Sequence, residues 1–320
     1  MKKAPSSPPI RKVIIPAAGW GTRFLPMTKV LPKELVPILN RPSIDLLVDE
    51  ALASGIEEII LVISPRKQEI MRYFEKNVPL ERELVLKKKL GLLRQVKKTN
   101  REALIRVVYQ YEQLGLGHAV LTGARFFDDE PFAVILGDDL IKAQTPVIKQ
   151  MIAEYEKHKA SIVGVQTVAS AKLSQYGVVC PLDASQRDQT VFEISGAVEK
   201  PAPGSAPSNK AILGRYIFNY SIVKHLKKLR ASGGREINLV DCFADYLQEE
   251  KIYAYEFEGT RYDLGSIEGF TRATIDYALE NNEIKTAIKR HISRLAEGFA
   301  SDRPDPDGAG DLANPEGGKD

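Results

Sequence analysis

Five short stretches of the chain combine residue types that could handle phosphate. The first is Ala17-Ala18-Gly19-Trp20-Gly21-Thr22-Arg23, directly after the apolar run Lys12–Pro16. Small residues let a backbone approach a ligand, and successive N–H groups in such a loop can cradle an anion. The segment continues through Lys29 and Pro32-Lys33-Glu34, so Arg23, Lys29 and Lys33 lie on a stretch stiffened by Pro26, Pro32 and Pro37. A guanidinium with an ammonium suits a polyphosphate. The loop is not the dinucleotide fingerprint, because Phe24 stands at the third glycine position, and no GK[ST] follows for a Walker A loop. A tight strand-to-helix turn with structural glycines is the plain alternative.

The second stretch is Gly137-Asp138-Asp139, after FAVIL. Open α/β sheets bind ligands at the carboxyl ends of their strands, and Mg²⁺ takes one or two carboxylates plus substrate phosphates. Asp138 is the first choice as ligand and Asp139 is expected to point away; an Asp-rich turn or helix cap is the alternative. The third is Val198-Glu199-Lys200-Pro201, a carboxylate for hydroxyls beside a cation for phosphate. Neighbours on a strand face opposite ways, so both reach one ligand only where the strand ends or bulges, which Pro201 favours. As a solvated pair they would be unremarkable. The fourth is Gln110 to His118, QYEQLGLGH, with Gly115 and Gly117 permitting close approach. The fifth is Arg261-Tyr262-Asp263-Leu264-Gly265, where Asp263 could be a second metal ligand or a helix cap.

The elements that must position these groups alternate. KVIIP (12–16), EIILVI (58–63), IRVVYQ (105–110) and FAVILG (132–137) read as buried strands, with helices after Pro42 and over Ala119–Ala124. That order predicts a parallel sheet covered by helices on both faces. Beyond residue 160, SIVGVQTV, YGVVC, VFEIS, GAVEKP and AILGRYIF read as closely spaced strands, hence mixed or antiparallel additions. Helices are expected near 219–230, 239–249, 265–281 and 283–299, with a strand at IYAYEFEG. Between Arg82 and Arg106, lysines among leucines fit a basic anion-binding helix or, more simply, an amphipathic surface helix.

Composition narrows the class. The chain has 320 residues, 43% hydrophobic and 27% charged, enough for a large soluble core. Its net charge of +3 argues against a generic polyanion binder, so no nucleic-acid partner is expected. Six acidic and two basic residues fall between Gly298 and Asp320, leaving +7 on the rest, which suits an anionic substrate. Two cysteines and four scattered histidines suggest neither a disulfide scaffold nor a histidine metal site, and point to a cytoplasmic protein. No run reaches the ~18 apolar residues of a membrane span, and the start does not read as a secretory signal. We expect a flexible 1–11, a domain over 12–297 in halves of about 12–145 and 146–297, and a disordered acidic tail over 298–320.

Taken in order, AAGWGTRFLPMTKVLPKELVPI, LGLGHAV, GDD, YGVV, VEKP, GRYIF and RYDLGS strongly resemble the sugar nucleotidyltransferase family, from about Lys12 to about Leu279. The long TK-x-x-PKE form with LGLGHAV and APSNKAILGRYIF is similar to its bacterial branch, the UTP–glucose-1-phosphate uridylyltransferases or UDP-glucose pyrophosphorylases. The resemblance implies a Rossmann-like, mixed, mostly parallel α/β sheet with a sugar-binding half, in a homo-oligomer (dimer or tetramer). It implies formation of UDP-glucose and pyrophosphate from UTP and glucose 1-phosphate with Mg²⁺. By resemblance, Ala17, Ala18, Gly19, Gly21, Thr22, Arg23 and Lys33 would hold the nucleotide phosphates, and Glu34, Gln110 and Gly117 the uridine. Asp138, with Asp263, would bind the metal; Gly177, Glu199 and Lys200 would hold the sugar phosphate. Arg23, Lys33 and Lys200 would act in catalysis. The chain departs from the family pattern at Trp20, Tyr109, Gly137, Asn238 and Val240, none of them a charged site residue. A thymidylyl relative, a non-catalytic paralogue and a metal-dependent glycosyltransferase of related fold are the rival readings.

Overall fold

The computed structural model describes residues 9–186, 188–231 and 236–301. The expected tail beyond 301 and most of the expected flexible N-terminus lie outside the described residues. The chain divides into two compact units at Thr271/Arg272.

The first unit carries thirteen strands: β1 (Lys12–Pro16), β2 (Pro37–Ile38), β3 (Arg41–Pro42), β4 (Glu58–Ile63), β5 (Ile105–Tyr109), β6 (Phe132–Ile135), β7 (Asp139–Lys142), β8 (Ser161–Thr167), β9 (Gly177–Pro181), β10 (Val191–Glu199), β11 (Lys210–Phe218), β12 (Ile252–Glu256) and β13 (Thr260–Asp263). Nine of them form one sheet in the order β5-β4-β1-β6-β11-β8-β12-β10-β9. β5, β4, β1 and β6 pair in parallel, β11 runs against β6 and β8, β12 runs parallel to β8, and β10 opposes both β12 and β9. Only β11 and β10 therefore oppose the common direction, which is the mixed, mostly parallel sheet expected from the sequence. β1, β4 and β6 are apolar without alternation because both faces are covered.

The helices are α1 (Ser43–Ala53), α2 (Glu69–Phe74), α3 (Val78–Leu86), α4 (Leu90–Lys98), α5 (Leu116–Gly123), α6 (Val147–His158), α7 (Ile222–Ala231), α8 (Phe243–Tyr246), α9 (Ile267–Glu280) and α10 (Lys285–Ser301). α1 follows Pro42 and buries Ile44, Leu47, Val48 and Ala51, one helical stripe. α5 begins at Leu116, three residues before the sequence reading, because Gly115 at φ +92° supplies its N-terminal turn. VFEIS and GAVEKP join into the single strand β10 through a register shift between Ile194 and Gly196. Residues 82–106 hold parts of two helices separated by Lys88 at φ +53°; Leu84 and Leu93 are buried while Leu86 and Leu90 are exposed. The short β7–β13 pair had no legible pattern in sequence. It aligns Asp139 with Asp263, far apart in the chain. No helix among the described residues is long and apolar enough to cross a membrane.

One buried ionic group sets the geometry of the strand ends. Arg215 of β11 is fully buried, donates from Nε and Nη2 to Glu50 of α1 at 2.9 and 2.7 Å, and donates to the Asp139 carbonyl at 2.8 Å. The turn after β6 is thereby tied to the core. Gly214, at φ +69°, faces the same aspartate; a Cβ there would lie 2.3 Å from Asp139 Oδ2, so no side chain fits.

Candidate active site

The glycine loop leaves the carboxyl end of β1 as the sequence suggested. Ala17 still donates to Val62 at 2.7 Å, but the amides of residues 18–23 have no protein acceptor among the described residues. Gly21 is left-handed at φ +68° and sits against Lys33 and Thr28, whose Oγ1 donates to the Gly21 carbonyl at 2.8 Å. Arg23 reaches across to donate from Nη1 to the Gly265 carbonyl at 3.1 Å. Lys29 is exposed on the loop and is not drawn into this cluster.

A cleft of about 360 Å³ opens beside the loop. Of the expected residues it is lined by Ala17, Ala18, Gly19, Lys33, Glu34, Gln110 and Asp138. Gly117 does not line it: its N–H donates to Ile237 at 2.8 Å, and a Cβ would lie 2.7 Å from the Ile237 side chain. Gly115 and Leu116 form the wall there instead, with Gln113 and Glu236. Gln113 donates to the Ala18 carbonyl at 2.8 Å. Gly137 closes the end of β6 against β1, where a Cβ would lie 2.8 Å from the Pro16 carbonyl oxygen.

The charged groups converge at the mouth. Lys33 Nζ donates to Asp138 Oδ2 at 2.9 Å. Burial opposes the charge on each. Their mutual attraction outweighs it, raising the Lys33 pKa and lowering that of Asp138. A Cβ on Gly265 would lie 2.8 Å from Arg23 Nη1, 2.9 Å from Asp263 Oδ1 and 3.5 Å from Asp138 Oδ2. Two carboxylates and a guanidinium thus face one small space that only glycine leaves open. Asp263 also accepts from the Gly265 amide at 2.9 Å, so it shapes the turn into α9 while facing Asp138. No cluster of three or more protein ligands for a metal occurs among the described residues. Two carboxylates needing further oxygens from a phosphate are nevertheless the donor set Mg²⁺ accepts, so the residues fit that ion. Asp139 is turned away into the interior, paired with Arg261; burial pushes its pKa up and Arg261 opposes the rise.

Glu199, Lys200 and Gly177 come together at the end of β10. Glu199 is registered opposite Gly177, where a Cβ would lie 3.1 Å from Glu199 Oε2. The strand ends there, and Lys200 at φ +45° bends its side chain back to 3.5 Å from Glu199 Oε1. This left-handed turn brings two adjacent side chains, which an extended strand would send to opposite faces, to the same side. Arg261 links the two regions. It pairs with Asp139, donates to the Tyr176 hydroxyl at 3.0 Å and lies 4.9 Å from that ring, while Lys200 N–H donates to the Tyr176 carbonyl at 3.0 Å.

Several residues of the site carried no signal in the sequence. Lys67 is buried, donating at 2.9 Å to the Ala17 carbonyl and at 3.0 and 2.8 Å to the two oxygens of Glu34. Burial lowers its pKa despite Glu34. Glu236 likewise acquires its position only by folding, whereas Gln113 and Arg261 lie in the fourth and fifth stretches singled out in the sequence, where neither had a role of its own.

The fold and this arrangement of loop, cations and carboxylates define a nucleotidyl-transferring α/β protein. The model of the nucleotidyl transferase family matches residues 12–280. A UTP–glucose-1-phosphate uridylyltransferase of Bacillus subtilis (strain 168) is 44% identical over 279 residues, 87% of this chain and 94% of that one. A solved UTP-bound UGPase from Acinetobacter baumannii is 36% identical with a TM-score of 0.82, covering 89% of this chain and 99% of that chain. A solved UDP-glucose pyrophosphorylase complexed with UDP-glucose is 37% identical with a TM-score of 0.75, covering 85% and 100%. The chain belongs to the nucleotidyl transferase family and, within it, to the bacterial UTP–glucose-1-phosphate uridylyltransferases. It is an enzyme of that class.

Proposed function

We propose that the chain catalyses UTP + α-D-glucose 1-phosphate → UDP-glucose + pyrophosphate, as a cytoplasmic homo-oligomer whose segments 12–145 and 146–297 serve nucleotide and sugar respectively. The observation that carries this reading is the convergence of Arg23, Lys33, Asp138 and Asp263 beside a loop whose amides 18–23 lack protein acceptors among the described residues. The substrates named for the relatives support it.

The sugar phosphate is its own nucleophile. Its second ionisation falls near a pKa of about 6, so it needs no general base at neutral pH. Lys200 offsets the charge of that phosphate, and Glu199 accepts from sugar hydroxyls beside Gly177. One phosphate oxygen attacks the α-phosphorus in line as the bond to the bridging oxygen breaks, and pyrophosphate leaves with the electron pair. Arg23, Lys33 and the loop amides from Ala18 to Thr22 meet the charge that develops on it. Positioning of two anions supplies much of the remaining rate. Asp138 and Asp263 would hold Mg²⁺, which when bound offsets phosphate charge. Glu34, Gln110, Gly115 and Leu116 take the uridine.

Pyrophosphate release from UTP and glucose 1-phosphate, with and without Mg²⁺, tests the proposal. Release dependent on both substrates and on Mg²⁺ is expected. Consumption of UDP-glucose with release of UDP, or a preference for dTTP, would overturn it.

A further inference from the structure

Gln110 lies at the inner wall of the cleft, almost fully buried, and both hydrogens of its amide are engaged by protein. Nε2 lies 2.9 Å from His118 Nδ1 and 3.3 Å from the Gly115 carbonyl oxygen. A carbonyl only accepts, so the atom facing Gly115 must be the amide nitrogen. The neighbouring His118 nitrogen must then accept as well, which makes Nδ1 the unprotonated ring position. The Gln110 oxygen has no protein donor among the described residues and is not among the sealed polar atoms, so it is the group left to face the cleft.

His118 is itself buried, on α5, the helix that Gly115 initiates. A glutamine alone is ambiguous towards a pyrimidine, because rotating its amide exchanges donor for acceptor. We infer that His118 is a positioning residue for base selection. By accepting from Gln110 Nε2 at 2.9 Å, closer than the Gly115 carbonyl at 3.3 Å, it is the stronger of two acceptors that lock the amide with its oxygen towards the base, favouring a ring that offers N3–H over one that offers a bare N3. Uracil is the first kind and cytosine the second. The inference rests on the reading of this cleft as the uridine site.

The test is equilibrium binding of UTP and of CTP, by calorimetry, to the wild-type chain and to His118→Leu and His118→Asn. Leucine removes the acceptor, whereas asparagine can return an oxygen near the Nδ1 position. A mismatched buried polar pair corresponds to at least about fivefold in affinity. The UTP/CTP preference of the wild type is expected to shrink at least about fivefold in His118→Leu and to be restored in His118→Asn. Simple loss of packing would weaken both nucleotides together and leave the ratio unchanged, and that result overturns the inference. A wild type that binds the two equally overturns instead the assignment of the cleft to uridine. Should the leucine variant fail to fold, nitrogen NMR of the wild-type histidines decides: an unprotonated Nδ1 at His118 is expected, and a protonated one refutes the lock.

Discussion

Replacing Lys67 by Met leaves Glu34 as a buried carboxylate without its hydrogen-bonded cation, with only the more distant charge of Lys33 to offset it. Both residues are over 90% buried, and the Lys67 ammonium donates to both Glu34 oxygens and the Ala17 carbonyl. Breaking a buried pair from one side costs about 3–5 kcal/mol. An upper limit comes from the carboxylate itself, which can escape by taking a proton. With an ordinary glutamate pKa of about 4.3, protonation at pH 7 costs about 3.7 kcal/mol, and at pH 5 about 1 kcal/mol. The variant should therefore lose about 3 kcal/mol at pH 7 and only about 1 kcal/mol at pH 5. The sign follows from linkage: a carboxylate buried without its paired cation is penalised only while it is charged, so the loss is present at neutral pH and shrinks as the pH falls towards the ordinary glutamate range. Urea unfolding at both pH values measures this, and adding Glu34→Gln to the variant should recover most of the loss at pH 7. A loss below about 1 kcal/mol at pH 7, or an equal loss at both pH values, would refute the account of this pair.

Asp138→Asn should lower turnover at least ~100-fold with the fold intact, since the carboxylate meets both Lys33 and the space shared with Asp263; circular dichroism and steady-state rates check it. Lys200→Ala should raise the KM for the sugar phosphate more than that for UTP, read from initial rates with each substrate varied. Gly115→Ala should destabilise the chain by about 1–3 kcal/mol and weaken nucleotide binding, because its φ is +92° and a Cβ would lie 2.6 Å from the Glu236 side chain and 2.7 Å from the Ile237 carbonyl oxygen; thermal unfolding with and without UTP tests this. Burial opposes the charge of Asp49, but bonds from Arg101 and Arg41 prevail and hold its pKa below the ordinary 3.8. Its stabilisation is present above that value and lost as pH falls through the lower folded pKa. Asp49→Asn should therefore cost about 1 kcal/mol at pH 7 and nothing at the acid end of a pH-dependent unfolding series.

The sheet was legible because its strands are buried on both faces. KVIIP, EIILVI and FAVI carry uninterrupted apolar runs, and such runs between turn residues have few other places to go. The loop after Pro16, the Asp138 turn and the Glu199–Lys200 pair were legible for a related reason. Ligand groups gather at strand ends, and each strand end is punctuated by glycine, aspartate or proline in the sequence itself. What lay beyond the sequence is every relation set by long-range packing. Asp139 and Asp263 are partners only because β7 meets β13. Lys67 looks like a surface lysine in PRKQEI until folding brings it beneath Glu34 and Ala17. Gly115 and Gly117 are indistinguishable in LGLGH, yet one has positive φ and lines the cleft while the other packs under Ile237. Residue type and local spacing determine which groups can do chemistry near a strand end. Which of them meet and which are buried depend on contacts between segments tens of residues apart, as for Lys67 and Glu34, or more than a hundred, as for Lys33 and Asp138, and no local pattern encodes those.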